Sequence, residues 1–400
     1  MKRPLQNDRP AMYRHETIAL SEDRVKLRAV LLVLLGIIAA ASFAYGINAL
    51  FTAEPGIREI TALTGEMNSG DDFTFYYSLG SGEVSATDEE RAVRSLYTQA
   101  ATDAFRVFSA DIEFEGCGNL WYLNQHINEP VAVEPALYNA LALLENSGGR
   151  YHYLAPVYEL YFSLFQSESD QEAFHFDPYR NEELRRFYQE AADFANDPGA
   201  VDVELLGDDT VCLRVSEEYL AFAEKNGVTR FVELFWMENA FAADYMAAAL
   251  MEGGYTRGVL ISEDGFIRSL GDAQGVEYAL TFTHREENVV SNLASLRFSG
   301  MISMVYLRDY PVDNGGGSNY YVYKDGTIRC PYVDPRDGLD RSAIPELAVY
   351  SESLSCAELT VLAAPLYIAE SFDSELLESL TEAGVLAYYQ ADGKLFVTGG

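Results

Sequence analysis

The stretch that most constrains this chain runs from Arg230 to Gly271, RFVELFWMENAFAADYMAAALMEGGYTRGVLISEDGFIRSLG. It reads as a short apolar strand, a bend, an alanine-rich helix, a Gly-Gly turn, a second strand and a tight turn. The residues before it read as a lead-in, and those after it as strands that return to it.

The lead-in is mostly helical. After a β-rich run at Phe73–Leu79, Thr87 and Glu90 have capping-box spacing. Apolar residues then recur on one helical face from Val93 through Phe108. Pro135 opens a second helix that ends before Gly148-Gly149. Further helices are expected over Leu154–Phe165, Asn181–Phe194 and Ser216–Asn226, the last closed by Gly227. Val201–Val215 alternates as a hairpin turning at Gly207-Asp208-Asp209. Beyond Gly271 the strand candidates are Glu277–Thr283, Gly300–Leu307, Ser318–Lys324 and Thr327–Val333, with Asp325-Gly326 as a hairpin turn. Helices from about Leu354 to Ala369 and Ser374 to Ala383 and strands at Val385–Tyr389 and Lys394–Thr398 close the chain. This order predicts an α+β body, an antiparallel sheet with helices packed against it.

The first fifty residues are of another kind. Met1–Arg28 is polar, with seven Lys and Arg against four acids, and Ala29–Phe51 is 23 residues without a charge. As a helix that run spans roughly 35 Å, enough for a hydrocarbon core of about 30 Å. A cleaved signal peptide is the competing reading, since Ala39, Ala41 and Ala44 are small. The long polar segment ahead and the apolar continuation through Tyr45–Phe51 favour an uncleaved anchor. Basic residues on its N-terminal side put residues 1–28 in the cytoplasm, 29–51 in the membrane, 52–72 as a tether and 73–400 outside the cytoplasm.

From Thr52 onward, 21 Lys and Arg stand against 58 Asp and Glu, a net charge of −37. Such a body repels phosphate backbones, so nucleic-acid binding is excluded as a function class. The sequence has no phosphate-binding glycine loop, no dinucleotide fingerprint and no serine-nucleophile elbow. The five histidines are scattered, and Cys117, Cys212, Cys330 and Cys356 match no zinc spacing.

In its central stretch the chain resembles the FAD:protein FMN transferase (ApbE) family. That family reads D-L-G-G-I-A-K-G-Y-A-A-D and then, after a helix, A-L-V-N-x-G-G-D-I-R-A-L-G. Here Glu233–Asp244 and Gly258–Gly271 fall in the same register. The likeness continues in chain order. Phe108–Asp111 is similar to F-S-T-Y, Glu129–Pro135 to E-P-V-x-V-S-P, and Ser147–Val157 to S-G-G-A-F-D-P-T-V-G-P. Tyr332–Gly338 is similar to H-I-I-D-P-R-T-G, and Cys356–Leu362 to the A-D-A-L-A-T helix. It covers the chain from about Phe73 to the C-terminus.

The resemblance implies an ApbE-like, T-fold-related body holding FAD and Mg²⁺, which passes FMN to a threonine hydroxyl on another protein. By register, cofactor contacts fall at Asp111, Tyr151, His152, Glu233, Trp236, Asn239, Ser262, Asp264, Tyr332 and Asp334, and the metal position at Glu358. The partner would be a flavoprotein acceptor or a membrane-complex subunit. The same register gives losses: the Gly-Gly pair is Phe235-Trp236, the lysine Asn239, the histidine Pro331 and the threonine ligand Leu362. Phosphoryl-type transfer needs a cation and close backbone approach to phosphate, and these are the positions changed. Three readings are open: a degenerate transferase keeping at most a flavin or small-ligand pocket, an active divergent transferase, and a non-enzymatic binding or scaffold module. Asp334–Gly338 also reads as a plain turn, and Asp244 as a solvated residue. Cys330 and Cys356 flank segments that meet at the family's site, so the resemblance suggests a disulfide between them.

Overall fold

A computed structural model describes residues 35, 53–63, 65, 67–80, 84–271, 277–286, 289–311, 319–391 and 394–398. The chain divides into Met1–Ala53 and Glu54–Gly400, and the second unit carries the sheets and the helices packed on them. The expected cytoplasmic segment and, Leu35 apart, the expected anchor lie outside the described residues. Among those described, no helix is long and apolar enough to cross a membrane.

Eight strands form one antiparallel sheet whose neighbours follow chain order. They are Gly56–Ile60, Phe73–Leu79, Gly258–Ser262, Phe266–Ser269, Ser303–Arg308, Glu346–Ser351, Leu386–Ala391 and Lys394–Val397. Three of them differ from expectation, one being Phe266–Ser269, the return after the tight turn. Gly56–Ile60 lies within the stretch read as a tether, yet it pairs with Phe73–Leu79 as the sheet's edge. Glu346–Ser351, not foreseen as a strand, is central and paired on both sides.

Period two meets period 3.6 at the start of the body. Phe73, Phe75, Tyr77 and Leu79 are buried on alternate positions of their strand. The helix Ala86–Phe108 lays Val93, Tyr97, Ala100, Ala101 and Ala104 inward, and the rings of Phe75 and Tyr97 meet at 4.8 Å. Each of the larger buried side chains stabilises the fold by roughly 2 kcal/mol, and each alanine by less than about 1 kcal/mol. The helix begins two residues before the expected cap. Ser85 accepts from the Asp88 amide at 3.2 Å, and Glu90 turns forward to pair with Arg94 instead of closing a box on Thr87.

Between Phe73–Leu79 and Gly258–Ser262 the chain makes a long helical excursion. It carries a small sheet in the order Pro130–Ala132, Thr210–Val215, Val201–Gly207. The hairpin turns where Asp208 and Asp209 both take positive φ, 49° and 54°, the twist a two-residue hairpin needs.

The central stretch keeps its helix Glu238–Glu252 and its strand Gly258–Ser262, with Phe266–Ser269 returning after the tight turn, but the first strand is absent. The Asn124 side chain replaces it. Its amide donates to the Val232 carbonyl (2.8 Å) and its oxygen accepts from the Phe231 and Val232 amides (2.9 and 3.1 Å). One buried amide thus satisfies the backbone that a neighbouring strand would otherwise pair. Farther on, Gly265 turns the chain at φ 104°, where a Cβ would lie 2.1 Å from the Tyr306 carbonyl oxygen. Only glycine fits there.

Candidate functional site

A cleft of about 490 Å³ opens beside the turn that leads into the Glu238–Glu252 helix. Seven segments distant in the chain converge on it, Asn319 and Pro331 completing the lining given next. Asp72 comes from the loop before the second strand, Asp111 from the end of the first long helix, and Tyr158 and Glu159 from the helix Ala155–Phe165. Residues 230–239 form one wall, and Asp264 projects from the hairpin after Gly258–Ser262.

Among the described residues six carboxyl groups line this cleft and one cation does, Arg230. Arg230 donates to Asp111 at 2.6 Å and lies 3.4 Å from Glu233 and 3.8 Å from Glu159. Burial pushes the Glu233 carboxyl up to about 7, against the pull of Arg230. Glu238 is pushed higher, to about 8, by burial and then by the carboxylates of Glu233, Asp72, Asp111 and Asp264. Asp264 rises to about 6 through burial, held back by hydrogen bonds from Ser262 (2.5 Å) and Asn239 (3.1 Å). Asp72 is raised by burial and by its neighbours Glu263 and Asp71. Three of these groups titrate near neutrality, and such clustering is more typical of functional clefts than of structural ion pairs.

Phe235 holds the centre of the wall in a left-handed backbone conformation, φ 47°. A bulky residue there costs on the order of 1–3 kcal/mol, where glycine costs nothing. The turn therefore takes a backbone conformation that favours glycine, with a phenylalanine in it. The Phe235 ring stacks on Tyr158 with centroids 4.5 Å apart and planes 17° apart, which offsets part of the strain. Trp236, also on the cleft wall, lies edge-on to Tyr151 (6.1 Å) and Tyr332 (5.5 Å).

The Trp236–Tyr151 contact separates this cleft from a second one of about 880 Å³, lined by Gly148, Gly149, Tyr151, Asp334 and Arg336. In the second cleft Asp334 is satisfied. Buried Asp334 accepts from the Arg336 amide (2.9 Å), is gripped by its guanidinium, and has Arg341 at 3.4 Å. The Asp334 carbonyl accepts from the Gly338 amide at 2.9 Å, so this segment is the turn that its composition suggests.

Of the residues singled out by register, Asp111, Glu233, Trp236, Asn239 and Asp264 line the first cleft, and Ser262 and Tyr332 buttress it. Tyr151 and Asp334 belong to the second. His152 lines neither: it is buried, with Nε2 2.8 Å from Glu145, and burial lowers its pKa so that the ring is neutral. Glu145 occupies its Nε2, while its buried Nδ1 has no partner among the described residues. Residues without a sequence assignment, Glu238, Arg230, Tyr158 and Asp72, prove to line the acidic cleft. A usable signal was present, for Glu233 and Glu238 bracket two aromatic residues within an otherwise apolar run.

The residues at the implied metal position do not fit Mg²⁺. Glu358 closes a capping box, accepting from the Ser355 amide at 2.7 Å while the Ser355 hydroxyl accepts from the Glu358 amide. Leu362 offers no oxygen. Asp244 is not a solvated residue, for it accepts from the Cys356 and Ala357 amides (3.0 and 2.8 Å) and so caps the same helix. Among the described residues no three metal-ligating side chains converge. A pyrophosphate suits the first cleft no better, given six carboxyl groups against one guanidinium. The four cysteines are free, which corrects the suggested Cys330–Cys356 bond. The Cys356 thiol instead donates to the Ile267 carbonyl at 3.1 Å, while the Cys330 carbonyl accepts from Tyr161.

No family model and no curated protein matches the sequence. Solved structures do match it. The ApbE protein of Thermotoga maritima aligns at TM-score 0.58 and 15% identity, over 86% of this chain and 97% of that one. The flavin transferase ApbE of Vibrio cholerae aligns at 0.56 and 13%, over 86% and 98%. The apo flavinyl transferase ApbE of Pseudomonas stutzeri aligns at 0.52 and 10%, over 87% and 95%. The chain therefore has the mixed helix and antiparallel-sheet fold of the ApbE flavin transferases.

Proposed function

We propose that this chain, built on the fold of the ApbE flavin transferases, is a membrane-anchored protein that no longer transfers FMN and uses its acidic cleft as a small-ligand pocket. The observation that carries this reading is Phe235, a phenylalanine held at φ 47° with its ring laid over Tyr158. In the resembled motif that position is a glycine, which lets backbone approach the phosphates. A ring there fills the approach, and Asn239 supplies no charge to meet them. The neighbouring acids oppose the same anion. Glu358, Asp244 and the loss of a threonine at Leu362 leave no ligand set for the metal that the chemistry would need. What remains is a pocket with titratable carboxyl groups, aromatic walls and a rigid frame.

Equilibrium dialysis of the full chain against FAD, with and without Mg²⁺, tests the reading. Weak FAD binding that Mg²⁺ leaves unchanged is the expected result, and tight Mg²⁺-dependent binding would overturn it. The fold match over 86% of the chain favours a second reading, an active divergent transferase with a flavoprotein acceptor. The Mg²⁺-dependent outcome would point there.

The anchor is part of the proposal and rests on the charge-free run Ala29–Phe51 between a basic segment and an acidic body. Protease added to intact cells should digest the body and spare residues 1–28. Protection of the body would reverse the orientation.

A further inference from the structure

We propose that His152 is a proton-operated latch: one proton taken up by its ring loosens the turn that holds the wall between the two clefts. This goes beyond the ligand reading, for it concerns the joint between the clefts and not what either of them holds.

The ring is clamped so that a second proton has no place in it. His152 is 1% exposed, and its ring lies against that of Tyr153 with centroids 4.0 Å apart. Facing the Glu145 carboxylate at 2.8 Å, Nε2 carries the proton of the neutral ring. Glu145 also accepts from the Tyr153 hydroxyl, which in turn accepts from the Val203 amide at 2.8 Å. The ring is thus fixed from the helix Pro135–Ser147 on one side and the strand Val201–Gly207 on the other. Nδ1 is closed to solvent and has no partner among the described residues. In a neutral ring that nitrogen is only an unused acceptor. In an imidazolium it becomes a donor, and a buried N–H without an acceptor costs its full desolvation.

The charged groups that press on the ring are Glu145 of that helix, Asp202 of that strand and Arg150 two residues ahead. The two acids favour the imidazolium and Arg150 opposes it. Arg150 is itself held in place, donating to the Ala195 and Val201 carbonyls and lying over the Tyr153 ring at 4.2 Å. Burial outweighs the acids and lowers the His152 pKa below the ordinary 6.5. The unfolded chain therefore takes up the proton first, and the clamped arrangement loses stability as pH falls below 6.5.

The neighbours of the ring carry its state outward. Tyr151 stands edge-on to Trp236 at 6.1 Å, the contact that separates the clefts. The His152 carbonyl accepts from the Glu233 amide at 2.9 Å, so the turn Tyr151–Tyr153 ties the wall of the first cleft to the lining of the second. To give Nδ1–H an acceptor, the ring must leave Glu145 or the turn must open to water. Either movement draws on Tyr151 and on the Glu233 amide together.

The test uses the detergent-solubilised full chain carrying Trp121→Phe, which leaves Trp236 as its one tryptophan. Acrylamide quenching of Trp236 is followed from about pH 7.5 to about pH 5, with circular dichroism reporting that the chain stays folded. Deuterium exchange at the imidazole C2 position, read by mass spectrometry on the peptide that holds His152, gives the titration of that ring in the same protein. Quenching should rise at least about twofold in a one-proton step below pH 6.5, with His152 titrating at the same midpoint. Glu145→Gln removes the carboxylate that favours the imidazolium and should move both midpoints to lower pH. In His152→Gln, whose amide still reaches Glu145, the step should vanish. Glu233 titrates higher, at about 7, and its change is the same in both proteins. The comparison of midpoints needs no variant, so it decides even where His152→Gln does not fold. A step below pH 6.5 that persists in His152→Gln, no step down to about pH 5, or a His152 midpoint apart from that of the step would each overturn the proposal.

Discussion

The two clefts on either side of the Trp236–Tyr151 contact treat negative charge in opposite ways. On the Asp334 side the carboxylates of Asp334, Glu370 and Asp373 have a structural employment. Asp334 holds Arg336 and Arg341, while behind that cleft Glu358 and Asp244 cap the Cys356–Tyr367 helix. On the Glu238 side the carboxyl groups crowd one another around a single guanidinium and are driven toward neutrality by burial. Like residues therefore carry unlike meanings. An acid whose lone pairs are filled by the fold explains stability, and an acid left without donors calls for a ligand or a proton.

The sharpest way to break this comparison is to remove an acid from the satisfied side. Asp334→Ala removes the buried acceptor of the Arg336 amide and guanidinium and so unties the turn, leaving Arg341 to Asp337 and Glu370, and should cost about 3 kcal/mol in urea unfolding. A cost near zero would mean that the second cleft is not structurally employed. On the crowded side the sign reverses. Glu238 sits at about 8, above the ordinary carboxyl value, so the native state holds a proton that the unfolded chain has released. Its contribution is complete below about pH 4.5 and is lost as pH rises toward 8. Glu238→Gln should therefore equal the wild type at pH 4.5 and exceed it by about 2 kcal/mol at pH 8, after allowance for partial exposure. A variant less stable than wild type at pH 8 would show that Glu238 has a donor after all.

Smaller effects sharpen the two poles. Glu358→Ala should cost about 1 kcal/mol, the worth of a helix cap, and Mg²⁺ should shift the Tm of neither form. A Tm raised by Mg²⁺ in the wild type alone would restore Glu358 as a ligand. At the strained turn, Phe235→Gly should be more stable than Phe235→Ala by about 1 kcal/mol, because both lose the stack on Tyr158 and glycine alone relieves φ 47°. The ordinary preference runs the other way, so Ala above Gly in thermal unfolding would show that the turn is not strained.

Local periodicity made much of the fold legible. The alanine-rich helix, the strand and tight turn after it and the hairpin at Asp208-Asp209 lie where apolar spacing and turn residues put them, while the returning strand Phe266–Ser269 was not foreseen. What periodicity missed depended on distant partners. No strand forms at Phe231–Leu234, because a side chain more than one hundred residues earlier, Asn124, takes up its backbone groups. Gly56–Ile60 becomes an edge strand only because Phe73–Leu79 offers it a partner. The same holds for the site. Register with the transferase motifs picked out Asp111, Glu233, Trp236, Asn239 and Asp264, which share one cleft, because the motifs carry the fold's own alignment. It passed over Glu238 and Tyr158, which meet in the cleft only through the packing of distant segments, a property that no residue shows in a one-dimensional string.

The central claim is that the frame of a flavin transferase is kept while its transfer chemistry is lost. The most direct measurement incubates the purified full chain with FAD, Mg²⁺ and a threonine-bearing acceptor domain, then reads covalent flavin fluorescence on the denatured acceptor. The account predicts no fluorescence above an enzyme-free control. A fluorescent acceptor band that disappears when its threonine is replaced would contradict it.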